Sequence, residues 1–253
     1  MKYLFYLAFA SLLISSSCAD DPVRPIDPCA GAKPFKADFT VYEQLWYDSL
    51  FVADTFLRGN EIHFKANDIY DSYKWKVGDD TTIYYTKEFS LRFQDLYGTL
   101  PVTLIATKKT NLTCFPNDKS IDTITKYITV APYEKSALIG NFRGVSTINS
   151  KDTFTISIVY SPIKNENGGT IANLYLMKNF NNGCLDPEPI AGFLPDLEVR
   201  AGYKHFKFSG TKGNKGCTNR IGYANLVSYN KLEIEYKVDL KGGIIYYFIG
   251  ERQ

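Results

Sequence analysis

A period of two constrains this chain more than any other feature. Between Phe35 and Gln253, apolar and polar residues alternate in short runs that turn residues interrupt. In Glu61-Ile62-His63-Phe64-Lys65-Ala66 one phase holds Ile62, Phe64 and Ala66, and the other holds Glu61, His63 and Lys65. Phe154, Ile156, Ile158 and Tyr160 alternate with Thr155, Ser157 and Val159, while Leu232, Ile234, Tyr236 and Val238 alternate with charged neighbours. Successive side chains of a strand point to opposite faces, so the pattern predicts strands that bury one face. No long i, i+3, i+4 spacing appears, which argues against amphipathic helices. Composition agrees: aromatics are 15% of 253 residues, and they suit pleated, half-buried surfaces. The expected class is all-β.

The first residues follow another logic. Lys2 precedes an apolar run from Tyr3 to Ile14, then Ser15-Ser16-Ser17 and Cys18. This is the layout of an export signal, and the run is shorter than the about 20 apolar residues of a membrane span. Here the chain resembles bacterial lipoproteins. The resemblance implies a signal over residues 1–17 and lipidation of the Cys18 thiol, with the membrane reached through that N-terminal lipid. Ser15 stands where the family usually places Leu, which leaves plain cleavage after Ser17 or Ala19 as the alternative. Ala19-Asp20-Asp21 resembles the export signal of Bacteroidota-like lipoproteins, implying a lipid-anchored protein at the outer membrane and cell surface. Pro22, Pro25, Pro28 and Pro34 then predict a stiff tether across residues 18–35.

Charge narrows the partners. The 29 basic and 27 acidic residues give a net +2, and no basic block exists to hold nucleic acid. Beyond Cys18 the cysteines are Cys29, Cys114, Cys184 and Cys217. An even number in an exported chain reads as disulfides, and these permit three pairings. Cys29–Cys114 with Cys184–Cys217 is the expected set, because each bridge then closes within one proposed domain. Each would contribute about 2–4 kcal/mol by restricting the unfolded chain. Without a Cys-x-x-Cys, and with His63 and His205 as the only histidines, a zinc site is not expected.

Tyr73-Lys74-Trp75-Lys76-Val77-Gly78-Asp79-Asp80-Thr81 places Tyr73, Trp75 and Val77 on one face of a strand and then turns sharply. Gly98-Thr99-Leu100-Pro101-Val102-Thr103-Leu104 adds a turn and a strand, and Lys126 to Val130 a further strand. Residues 36–131 thereby resemble a PKD domain, an immunoglobulin-like β-sandwich of extracellular proteins. Its Y-x-W-x-F-G-D-G-T run is matched by Tyr73, Trp75, Gly78, Asp79 and Thr81, with Val77 for Phe and Asp80 for Gly. Its G-x-Y-x-V-x-L segment is matched by Gly98, Val102 and Leu104, with Leu100 for the aromatic. The resemblance implies a spacer, or a contact module for protein or polysaccharide, without catalytic residues.

Residues 132–137, around Pro132-Tyr133-Glu134-Lys135, are expected as a linker. Residues 138–253 hold about seven or eight strand-like runs, one hairpin turning at Gly242-Gly243, which predicts an antiparallel meander barrel or sandwich. Gly140-Asn141-Phe142 and Arg252 resemble the opening G-x-W and the late arginine of lipocalin-like barrels, with Phe in place of Trp. That resemblance implies a carrier of a small apolar ligand.

No G-x-S-x-G, phosphate loop or dinucleotide glycine pattern occurs. His63 sits in the outward phase and His205 lies between Lys204 and Phe206, with Lys207 close by, so both are expected at the surface. Asp79-Asp80 is expected as a turn rather than a calcium loop. No catalytic residue, cofactor or metal ligand is therefore expected, although an acid pair brought together from separate strands would escape a reading by spacing. The aromatic surplus reads as core and hairpin ends, or as a sugar-stacking strip. The leading expectation is a non-enzymatic binding or display module for polysaccharide or an envelope protein. A lipocalin-like carrier and a hydrolase are the alternatives.

Overall fold

A computed structural model describes residues 27–46, 49–147, 149–180, 188–193, 201–209, 220–238 and 244–253. Cys18, Cys184, Cys217 and Gly242-Gly243 lie outside the described residues. Among the described residues, 27–34 with Thr110–Asp118 form one compact unit, and those of Phe35–Lys109 with Lys119–Gln253 form another.

Among its described residues the smaller unit is built from two tight turns. The Cys29 N–H donates to Asp27 Oδ1 at 2.9 Å. The Cys114 and Phe115 N–H groups both donate to the Asn111 carbonyl, at 3.1 and 2.8 Å. A disulfide joins Cys29 to Cys114, with their Cα atoms 5.4 Å apart. This is the pairing expected for Cys29 and Cys114.

The larger unit opens with eight strands: β1 (Phe39–Trp46), β2 (Ser49–Val52), β3 (Thr55–Leu57), β4 (Glu61–Ala66), β5 (Ser72–Val77), β6 (Glu88–Arg92), β7 (Gly98–Thr107) and β8 (Ile121–Ala131). They form two sheets, ordered β2-β1-β4-β6 and β3-β8-β7-β5, stacked as a sandwich. The alternation read from the sequence is what fills the space between them. Phe39, Val41, Ile62, Phe64, Trp75, Val77, Val102, Leu104, Ile128 and Val130 are all buried in one cluster. Burying each such side chain contributes about 1.5–3 kcal/mol. Trp75 packs edge-on against Phe39 at 5.1 Å and Phe89 at 5.4 Å, and its indole N–H donates to the Thr86 carbonyl at 2.9 Å.

Past Pro132 the chain makes a 3-10 turn, Tyr133–Lys135, with Tyr133 buried. Among the described residues nine strands follow: β9 (Gly140–Ser146), β10 (Asn149–Tyr160), β11 (Ile163–Lys164), β12 (Thr170–Lys178), β13 (Glu188–Phe193), β14 (His205–Ser209), β15 (Arg220–Ser228), β16 (Lys231–Val238) and β17 (Ile245–Arg252). The pairs Ser157↔Lys178, Tyr160↔Tyr175 and Ile163↔Ala172 share one register, so β11 prolongs β10 along β12. Pro162, which has no N–H to give the ladder, marks the break between them.

β17, the last strand, pairs back onto β9, the first, and the sheet curls into a half-barrel. Among the described residues no ladder joins β13 to β14. The buried face holds Phe142, Ile156, Phe206, Leu232, Ile234 and Phe248. Phe180 meets Phe208 and Tyr236 edge-on, at 5.4 and 4.7 Å. The Tyr236 hydroxyl and Ser146 Oγ share a buried 2.6 Å hydrogen bond, which satisfies both polar atoms inside the apolar packing.

Candidate functional site

The same alternation that buries one face of β15, β16 and β17 presents the other face outward. Register places Tyr223 opposite Glu235, and Glu235 opposite Tyr247. The adjacent row runs Asn225, Glu233, Ile249 and Val145 across β15, β16, β17 and β9. Tyr223, Tyr247 and Ile249 are 50%, 45% and 46% exposed. Tyr223 and Tyr247 stand two strands apart, so about 10 Å separates their backbones. The Lys207 ammonium lies 5.7 Å from the centre of the Tyr223 ring. The result is a face of aromatic platforms with carboxylates and an amine set among them.

Arg252 closes the end of β17. Its Nη1 donates to the Ile139 carbonyl at 2.7 Å, its Nε to the Tyr229 carbonyl at 2.9 Å, and its Nη2 to the Ala137 carbonyl. The guanidinium lies 4.6 Å over the Phe142 ring and 4.7 Å over Tyr229. The phenylalanine and arginine singled out in the sequence thus meet, although 110 positions separate them in the chain.

A second cluster was not foreseen. Along β1 the inward phase runs Phe39, Val41, Glu43 and Leu45, all buried, so a carboxyl group sits among hydrophobic neighbours. Glu43 Oε1 accepts from the Asn60 side-chain amide at 2.9 Å, the Tyr203 N–H at 3.1 Å and the Leu57 N–H at 3.3 Å. Its Oε2 accepts from the Tyr203 N–H at 3.0 Å. Asn60 also donates to the Ala201 carbonyl at 2.8 Å. Burial pushes the Glu43 carboxyl up to about 7, against the pull of these donors. Gly202 is required beside it: a Cβ there would stand 2.3 Å from Glu43 Oε2. On β12, burial holds the Tyr175 phenol well above its ordinary range, and its hydroxyl donates to the Tyr133 carbonyl at 2.7 Å.

The expectation of a surface His205 is corrected. Its ring stacks on Phe51 of β2 at 4.2 Å, and its Nδ1 is enclosed without a hydrogen-bond partner. The phase was read correctly, since Phe206 and Phe208 on the opposite phase are buried; the sandwich covers the outer face of β14 at this point. Burial, with the neighbouring Lys204 ammonium second, lowers the imidazole to about 4. His63 lies on the outer face of β4, 3.1 Å from Ser90 Oγ and 3.6 Å from a Glu88 carboxylate oxygen.

In the Tyr73 to Thr81 motif, Trp75 and Val77 are buried and Tyr73 is half-buried. Gly78 takes a φ of +56°, and the Thr82 N–H donates to Asp80 Oδ1 at 2.9 Å, so the Asp80 carboxylate helps build a turn. Among the described residues no group of three or more His, Cys, Asp or Glu is arranged to hold a metal ion. A cleft of about 380 Å³ on the sandwich flank is lined by Val41, Val52, Asp54, Lys126, Tyr127 and Lys204 among others. The Lys126 amine in it is engaged by Asp38 at 2.7 Å.

Compared with known proteins, the chain matches no family model and no curated protein.

Proposed function

We propose that this chain is a lipoprotein anchored at the outer membrane through Cys18 and exposed at the cell surface, where it binds rather than transforms its partner. The outer face of β15, β16 and β17 is the contact surface in this reading, and a polysaccharide is its partner of choice, ahead of an envelope protein. The observation that supports it is the row Tyr223, Glu235, Tyr247: flat, half-exposed rings flanked by groups that exchange hydrogen bonds with hydroxyls. A pyranose stacks its C–H face on such rings while its hydroxyls reach the polar residues between them. The PKD-like half acts as a rigid spacer that carries this face away from the membrane.

The test is a glycan array and an envelope pull-down with the full chain. We expect specific retention that falls by at least about tenfold when Tyr223 and Tyr247 are both replaced by Ala, a loss of about 1.4 kcal/mol or more. Blank results in both assays, or retention indifferent to the double substitution, would refute this surface. Labelled palmitate incorporated by the wild type and not by Cys18→Ala checks the anchor.

The Arg252–Phe142 contact favours a second reading, a lipocalin-like carrier of a small apolar ligand. Solvent extraction of the purified protein followed by mass spectrometry separates the two, because a stoichiometric lipid supports the carrier. The rings of Phe142, Phe206 and Phe248 already occupy the concave face, which supports display over carriage.

A further inference from the structure

One edge of the sandwich is bare. β6 is the last strand of the order β2-β1-β4-β6, and among the described residues it pairs with β4 alone. The Ala66 N–H donates to the Lys87 carbonyl at 3.0 Å, which sets the phase of that ladder. The backbone groups of Phe89 and Leu91 therefore face β4, and those of Glu88, Ser90 and Arg92 face away from it. Among the described residues no backbone group meets these outward N–H and C=O groups. By contrast, the outer edge of β5 is taken at Trp75, which exchanges backbone hydrogen bonds with Tyr84 at 2.9 and 3.3 Å. A bare row of this kind is a template for another strand.

The side chains select which strand. Glu88-Phe89-Ser90-Leu91-Arg92 reads acid, apolar, polar, apolar, base. Laid antiparallel on itself about Ser90, it sets Glu88 opposite Arg92, Phe89 opposite Leu91 and Ser90 opposite Ser90. We propose that β6 is a docking edge for a second copy of this chain, joined about a two-fold axis at Ser90 so that the two four-stranded sheets become continuous. The facing pairs are the ones whose backbone groups point outward, so each exchanges two hydrogen bonds. A two-fold contact of one patch with itself closes at two copies.

Charge fixes the register. With the axis at Phe89 or Leu91, one of the two charges faces Ser90 instead of its opposite. With the axis at Glu88 or Arg92, like charges meet. Both side chains are accessible: Glu88 is 49% exposed and Arg92 42%, although Lys65 lies 3.2 Å from the first and Glu61 2.7 Å from the second. Exposed ion pairs hold their members weakly, so both groups can be shared with a second copy. Phe89 and Leu91 pack on the sandwich core and are half-buried, and the added strand covers their open flank. The contact is narrow, so the dimer is reversible.

Sedimentation velocity of the full chain over a wide concentration range tests this. The wild type should pass reversibly from monomer to dimer and no further. Glu88→Arg and Arg92→Glu each set like charges opposite at both ends of the pairing, so each should weaken the dimer by about tenfold or more. An equal mixture of these two variants restores both opposite-charge pairs and should return dimer, as mixed pairs, to the wild-type level. Ser90→Pro should also weaken the dimer while the urea midpoint holds, because the Ser90 N–H serves no bond within its own sheet. A chain that stays monomeric, a dimer indifferent to the charge reversals, a mixture no better than its components, or growth beyond two copies overturns the proposal. If a reversed variant does not fold, the wild-type series and Ser90→Pro decide it, and undiminished association of Ser90→Pro refutes the edge.

Discussion

Glu43 shares its strand phase with Phe39, Val41 and Leu45, yet its carboxyl is tolerated because N–H groups from three places converge on it. That convergence depends on a backbone approach only glycine permits. Gly202→Ala would drive a methyl group against Glu43 Oε2 and Leu45, where the ideal Cβ stands 2.3 and 3.0 Å away. We expect a loss of about 1–3 kcal/mol in urea denaturation, the usual penalty for forcing extra volume into packed surroundings. A carboxylate on an apolar phase is visible in the sequence once β1 is drawn as a strand. Its donors are not, since Asn60 and Tyr203 lie 17 and 160 positions away. His205 makes the complementary point. Its outward phase was legible, whereas its cover, Phe51, comes from a strand of the other half of the unit.

Among the elements, β17 has the most to hold together, because it pairs with both β16 and β9 and ends on Arg252. Replacing Arg252 by Ala removes three donors from the Ala137, Ile139 and Tyr229 carbonyls and the cation over Phe142. We expect about 2–3 kcal/mol of lost stability, together with faster amide exchange at the β9–β17 ladder relative to the sandwich strands. Most strands were legible because alternation is a local signal. Two departures show where it runs out. The run from Ser49 to Phe56 reads as one strand, but it divides at Ala53-Asp54, where the Ala53 N–H donates to Val41 of one sheet and the Asp54 carbonyl accepts from Thr129 of the other. Glu88–Arg92 forms β6 although only Phe89 and Leu91 mark its buried side, too few positions to establish a period.

For the whole molecule, covalent closure and topology work together. The Cys29–Cys114 bridge spans 85 positions, so Cys114→Ser should cost about 2–5 kcal/mol, read as a lower urea midpoint under non-reducing conditions. The chain of antiparallel ladders from β12 through β10, β9, β17, β16 and β15 to β14 has an even number of steps, so β12 and β14 run the same way. Lys178 and Ser209 therefore end their strands on one side of the sheet. The expected Cys184–Cys217 pairing falls outside the described residues and is a matter for direct chemical mapping. A non-reducing peptide map should return that pair beside Cys29–Cys114, and Cys29 joined to either distal cysteine would refute the assignment.

Residue order alone was enough to specify an all-β chain, to mark which side of most strands faces inward, and to select Cys29 with Cys114 from the permitted pairings. Each of those rests on near neighbours along the chain or on a short inventory of side chains. Three-dimensional packing alone decided that Glu43 has its donors, that His205 loses water on its outward face, and that Arg252 reaches Phe142. Alternation states which way a side chain points. What waits there is set by strands far away in sequence, whose approach depends on the energy of the whole assembled chain.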